Sequence, residues 1–155
     1  MTTPTHILQE NGSSRFPLID NLRSFEDQLR FTLTQMDGSS FWALSLWRAP
    51  EGANLRASLP PSENYIQCAG EAVGVTVEVR STDATGTAHQ YTVGKPGTPS
   101  PGEPTETIRW DSGRRSTTVH AHEVLTLDEA AELFIAYYRD DRVPAEYTLR
   151  ELSGA

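Results

Sequence analysis

Two periods of apolar residues divide the chain. Phe25, Leu29, Leu33 and Met36 recur at spacings of four, four and three, which puts them on one face of a helix. Ser24 precedes that run and Asp27 follows three positions later. This is a start signal: a hydroxyl for the open N–H groups of the first turn, with an acid beside it. Asp37-Gly38-Ser39-Ser40 ends the helix. A second run lies near the C-terminus, where Leu127, Ala130, Ala131, Phe134, Tyr137 and Tyr138 form a stripe. Thr126 and Glu129 make a capping box, Arg139 suits the helix dipole, and Val143-Pro144 stops the helix. Asp128, Glu132 and Ala136 on its other side, with Asp140 and Asp141 after the last turn, are expected to face solvent.

Between the helices the period changes to two. Phe41 to Arg48 reads as a central strand, with Trp42, Leu44 and Leu46 on one face and Phe41, Ala43, Ser45 and Trp47 on the other. Asn64–Gly70 and Val73–Arg80 form a hairpin. In the second of these strands four valines share one face, and Gly74, Thr76, Glu78 and Arg80 the other. His89–Val93 is a further strand. Thr107–Trp110 and Thr117–His120 flank a turn as another hairpin, and Tyr147–Leu152 alternates as a last short strand. Leu55 to Ser62 is ambiguous, and Pro60-Pro61 excludes a regular helix there. Residues 1–15 are polar, with Pro, Gly and Ser, and are expected to be loose, His6-Ile7-Leu8 at most adding a short edge strand. Residues 94–105 are rich in Pro and Gly and read as a surface loop, because the fifty residues that follow need the sheet to bury their helix. The order of elements predicts an α+β fold in a single domain spanning 1–155: a mainly antiparallel sheet of six to seven strands with two main helices packed on one face.

Composition adds limits. A chain of 155 residues buries roughly two-thirds of its unfolded surface as one domain. No window approaches the roughly 18 apolar residues of a membrane helix. The N-terminus has no charged segment followed by an apolar run, so a cytoplasmic protein is expected. The lone cysteine, Cys68, excludes an internal disulfide and reads as a small buried residue. The net charge is −8, and residues 120–155, with eight acids against three bases, carry −5 of it. Such a surface is a poor partner for nucleic acid, whose binding requires phosphate neutralisation. It suits a basic protein.

Candidate chemistry is sparse. His120 and His122 point to one side if they lie on a strand, with Asp111 across the hairpin, and this pair is the best metal candidate. The sequence identifies no complete ligand set, and the plain reading is of exposed or hydrogen-bonded strand histidines. A metal-binding or small-molecule enzyme built on His120 and His122 is therefore one alternative, and a secretion chaperone or generic binding domain another. Gly94-Lys95 lacks the rest of a phosphate-binding loop. Ser39 and Ser40 lack the strand–elbow–helix setting of a serine hydrolase. No enzyme and no cofactor is expected.

Several short segments resemble a known family. They are Glu63–Gly70, Gly74–Arg80, Gln90-Tyr91, Ile108-Arg109-Trp110, Glu123-Val124, Glu129-Ala130 with Phe134 and Tyr138, Val143-Pro144, and Tyr147-x-Leu149-Arg150-Glu151-Leu152. Across Glu63 to Leu152 the chain resembles the first-numbered immunity protein family of bacterial polymorphic toxin systems. Members of that family are encoded beside secreted toxins, often deaminases or nucleases. The resemblance implies a non-enzymatic cytoplasmic protein that occludes the active site of a cognate toxin domain, expected to be basic. It implies structural roles for Trp110, Glu123 and Tyr147. Toxin contacts are expected from acidic groups, Asp128, Glu132, Asp140, Asp141 and Glu146, with an aromatic anchor.

Overall fold

The computed structural model describes residues 3–57 and 59–152. Nine strands and two α-helices follow in the order β1 (His6–Glu10), β2 (Ser14–Pro17), α1 (Phe25–Thr34), β3 (Ala43–Arg48), β4 (Tyr65–Glu71), β5 (Gly74–Thr82), β6 (Ala88–Gly94), β7 (Glu106–Trp110), β8 (Arg115–Val119), α2 (Leu127–Asp140) and β9 (Thr148–Glu151). Seven strands form one antiparallel sheet in the order β2-β1-β3-β4-β5-β6-β9, and β7 and β8 form a separate two-stranded sheet. The fold is α+β in a single domain, as the order of elements predicts.

Both helices begin where their spacing places them. Ser24 Oγ accepts the Asp27 N–H at 3.1 Å. Thr126 Oγ1 accepts the Glu129 N–H at 3.1 Å, and Glu129 returns the bond by accepting the Thr126 N–H at 2.9 Å. At the other end Asp141 takes a left-handed conformation, φ 58°, and its N–H caps the Tyr137 carbonyl. The helices share one core with the even-numbered side chains of β1, β3 and β4 (Leu8, Leu44, Leu46, Ile66, Cys68) and with Val75, Val77 and Val79. Val73, counted with those valines from the sequence, lies in the turn and is exposed. Cys68 is fully buried, and burial pushes its thiol far above the ordinary range.

The sequence stripe of α2 is only part of its buried surface. Leu133 and Ile135 are also buried, and Ala136, expected on the solvent side, is half-buried. The reason is tertiary: the sheet covers one side of α2, and α1 packs against another.

The expectation of a loose stretch over 1–15 is corrected. β1 lies inside the sheet between β2 and β3, with His6, Ile7 and Leu8 buried. Asn11 and Gly12 both take positive φ, the conformation that an Asn-Gly hairpin turn favours. The Asn11 side chain then accepts the Trp42 N–H at 2.8 Å, which fixes the hairpin to β3. The expected looseness of residues 1 and 2 lies outside the described residues, as does residue 58 of the ambiguous Leu55–Ser62 stretch. Residues 95–105 form no helix or strand and are mostly exposed, while Gly94 belongs to β6.

The face of the sheet away from the helices has two covers. Toward one end, β7–β8 lies over β4 and β5: Ile108 stands over Gly74, where an added methyl group would lie 3.7 Å from it, and Ala69 and Thr76 are buried. Toward the other, Leu55 and Leu59 pack on Ile7, Trp47 and Tyr65. A row of polar residues in register, Ser45, Gln67, Glu78, Thr92 and Arg150, crosses the sheet between them.

Candidate functional site

The C-terminal end of α2 overhangs the strand ends and leaves a cleft of about 820 Å³. Tyr137, Asp140 and Asp141 form its helix wall, and the loop 142–145 extends that wall. Arg48 at the end of β3, Asn64 before β4, Val79 to Ser81 of β5, Tyr91 of β6 and Leu149 of β9 form the opposite side. Val79, Tyr91 and Leu149 are placed together by strand pairing: Val79 faces Tyr91 across β5 and β6, and Leu149 faces Val93 next to it.

Charge in the cleft is largely paired. Arg48 Nε donates to both carboxylate oxygens of Asp141 at 3.2 Å. Arg80 donates to Glu63 at 3.0 Å and to Gln90 at 3.1 Å. Asp140 makes no side-chain hydrogen bond or ion pair among the described residues. The Tyr137 hydroxyl is pushed up to about 12, first by burial and then by the Asp141 carboxylate. No histidine or cysteine lines the cleft.

The five acids expected at a binding surface do not form one patch. Asp140 and Asp141 belong to the cleft. Asp128 and Glu132 lie on the N-terminal half of α2, and Glu146 follows the loop. Asp128 and Asp140 are about 18 Å apart along the helix axis. Glu132 is held by Arg30 of α1, and Asp141 by Arg48, so two of the five are partly neutralised. Asp128, Asp140 and Glu146 remain exposed without an ion pair among the described residues. Arg48, Arg80, Tyr91 and Leu149 escape sequence reasoning because each comes from a different strand. Arg48, Arg80 and Tyr91 are polar or amphipathic and Leu149 is apolar, each at an ordinary strand position, a pattern shared by many non-functional positions.

The histidine pair is not on a strand. β8 ends at Val119, and His120, Ala121, His122 and Glu123 form the start and body of a short 3-10 turn. Their ring centroids are 5.7 Å apart. His122 is turned toward the 95–105 loop, with its Nδ1 at 3.2 Å from both the N–H and the hydroxyl of Ser100. It also packs on the Cα of Gly94 so tightly that a methyl group there would lie 2.4 Å from its ring. Asp111, expected near the pair, sits at the far end of the β7–β8 hairpin, beside Arg114 and Arg115. The hairpin turn puts it a full strand length away. No group of three or more His, Cys, Asp or Glu with metal-binding geometry occurs among the described residues.

Glu123 ties the 3-10 turn to β9. It is fully buried and accepts the His120 N–H at 2.8 Å and two N–H bonds from Arg150. Burial acts to raise its pKa, but Arg150 and the His120 N–H outweigh burial and hold it below the ordinary range.

No known family, curated protein or solved structure matches the chain. No helix among the described residues is long and apolar enough to cross a membrane.

Proposed function

We propose that this protein works by binding: it is an immunity-type inhibitor that covers the active site of a cognate, basic toxin domain in the cytoplasm. The placement of charge carries this reading. Residues 120–155 hold −5 of the net −8, and Asp128, Asp140 and Glu146 stand exposed on α2 and beyond it. A toxin that acts on nucleic acid, such as a nuclease or a nucleic-acid deaminase, holds a polyanion with Lys and Arg. Carboxylates presented to that surface take the place of phosphates and steer the encounter. The cleft beside Asp140 adds a hollow of mixed character, with Tyr91 and Tyr137 among its walls, that can receive an anchor residue of the partner.

Co-expression with the product of the neighbouring reading frame tests the proposal. Cells making that toxin domain are expected to survive only with this protein present, and the two proteins to co-elute in gel filtration. Rising salt is expected to slow their association. A neighbouring product that is harmless, or that is toxic but neither captured nor neutralised, sinks the proposal.

A further inference from the structure

We infer that the outer edge of β9 is a docking site for an extended, basic segment of the protein partner, which pairs with it as an added strand and turns an apolar side chain toward the cleft beside Leu149. The basic character of that segment rests on the reading above. The edge itself is argued from the sheet.

The seven-stranded sheet ends in β2 on one side and in β9 on the other. An edge strand turns alternate N–H and C=O groups away from its one neighbour, open to another chain. At β2 those groups belong to Arg15 and Pro17, because Leu18 donates to the His6 carbonyl and so fixes which residues face β1. Pro17 has no N–H, and the Arg15 side chain reaches over to the Leu59 carbonyl, so this edge is guarded. β9 has no such guard. The Leu152 N–H donates to the Gln90 carbonyl at 2.8 Å, so Thr148, Arg150 and Leu152 face β6, and Leu149 and Glu151 turn their N–H and C=O outward. Among the described residues nothing bonds to these outward groups. Charged side chains ordinarily discourage pairing at an edge, but the two on β9 are engaged within the chain, Arg150 by Glu123 and Glu151 by His89.

The surroundings select the occupant. A residue opposite Leu149 on an added strand lies on the same face as Leu149, at the cleft that Val79 and Tyr91 also line. Leu149 is 49% exposed, and an apolar side chain there covers it. Glu146 and Glu151 are exposed on either side of Leu149 in the chain, so basic residues flanking the apolar one meet a carboxylate at each end. Of the cleft arginines, Arg48 and Arg80 are held by Asp141 and Glu63, and Arg142 lies on the opposite wall. A second copy of the chain fits worse. Antiparallel self-pairing centred on Arg150 or on Glu151 sets like charges directly opposite, and centred on Leu149 it sets Glu151 of one copy beside Glu146 of the other.

The probe is acetyl-Arg-Val-Thr-Val-Arg-amide, added to the full chain at low ionic strength and followed by NMR. In the free protein the amide hydrogens of Leu149 and Glu151 are expected to exchange with solvent quickly, and those of Arg150 and Leu152 slowly. The peptide is expected to give saturable shifts at Thr148 to Glu151 and at Tyr91, and to slow exchange at Leu149 and Glu151. Acetyl-Glu-Val-Thr-Val-Glu-amide is expected to bind about fivefold more weakly or worse. Leu149→Pro removes an outward N–H and leaves the bonds to β6 in place. It is expected to weaken binding about tenfold, while Leu149→Ala, which keeps the N–H, loses less. Unchanged signals from β3 to β5 report that each variant is folded. The inference is overturned if no saturable shifts occur at β9, if the acidic peptide binds as tightly, or if Leu149→Pro binds like Leu149→Ala. It is also overturned if Leu149 and Glu151 are protected in the free chain, and protection that grows with protein concentration identifies a second copy as the occupant. A captured toxin that leaves these two amides in fast exchange sinks the edge alone. Peptide binding at β9 by a protein that neutralises no toxin sinks the immunity reading alone.

Discussion

Glu123 and Arg150 join two distant parts of the chain by a two-point ion pair. Arg150 Nε and Nη2 donate to the two carboxylate oxygens of Glu123 at 3.0 and 2.9 Å. Glu123 closes the turn that leads into α2, and Arg150 lies on the edge strand β9. The pair therefore fastens the last strand of the sheet to the entrance of the helix that covers it. Arg150→Met leaves a buried carboxylate without its partner and is expected to cost about 3 kcal/mol. Urea unfolding is expected to show a lower midpoint with an unchanged slope. Glu123→Leu combined with Arg150→Met removes both charges and should recover much of the loss. A double variant no better than Arg150→Met would sink the assignment. Because the Glu123 pKa is depressed, its contribution is present above the ordinary carboxylate range and is lost as pH falls through the folded value.

His6 makes stability depend on pH in a second way. It is buried against Tyr138, with ring centroids 4.7 Å apart, and its Nε2 has no hydrogen-bond partner. Burial, then the Arg48 charge, lowers its pKa to about 4, with Asp141 opposing. Between the unfolded value near 6.5 and the folded value near 4, the unfolded chain binds a proton that the folded chain does not. Stability therefore falls as pH falls through that window, by about 3 kcal/mol in full. His6→Gln is expected to flatten the slope of unfolding free energy between pH 7 and pH 4, leaving the carboxylate contribution. An unchanged slope would show that His6 is not the group responsible.

His89 is expected to titrate in the opposite direction. Its Nδ1 lies 3.0 Å from Glu151 and its Nε2 2.9 Å from Asp83, so both ring nitrogens face carboxylates and the imidazolium is favoured. Glu151 first, and Asp83 next, raise its pKa. The contribution of this contact is fully present below the unfolded value and is lost as pH rises through the folded one. An NMR titration of the histidine rings is expected to place His89 above the ordinary value, and Glu151→Gln to bring it down. A His89 that titrates below the ordinary value would be incompatible with this geometry.

The sequence makes legible what depends on neighbours a few residues away. Ser24 with Asp27 and Thr126 with Glu129 locate both helix starts, and alternation locates the central strands. Asn11-Gly12 carries a hairpin signal as clear as either cap, yet the polar residues around it obscure β1 and β2. Burial of β1 depends on pairing with β3, more than thirty positions later in the chain. Leu133 and Ile135 flank the stripe on opposite edges, and their burial depends on α1 and the sheet together enclosing α2. The cleft is farther from sequence: its floor and walls come from strands β3, β5, β6 and β9, the segment before β4, and the end of α2 with the loop after it, and no local spacing brings them together.

The division of the acidic residues between two ends of α2 leads to a prediction about the complex. Asp128 and Asp140 are about 18 Å apart along the helix. At that distance charge reversals act independently, so the losses from Asp128→Lys and Asp140→Lys are expected to add within about 0.5 kcal/mol. Both are expected to lower the association rate more at low salt than at high salt, because exposed charges steer the encounter and are screened. Glu132→Gln is a different case. Glu132 is held by Arg30, so its replacement is expected to cost at most about 1 kcal/mol of stability and to change association less than either reversal. Stopped-flow association with the toxin domain across a salt series separates these effects. Reversals that change only dissociation, with no salt dependence, would place the partner away from this face of α2.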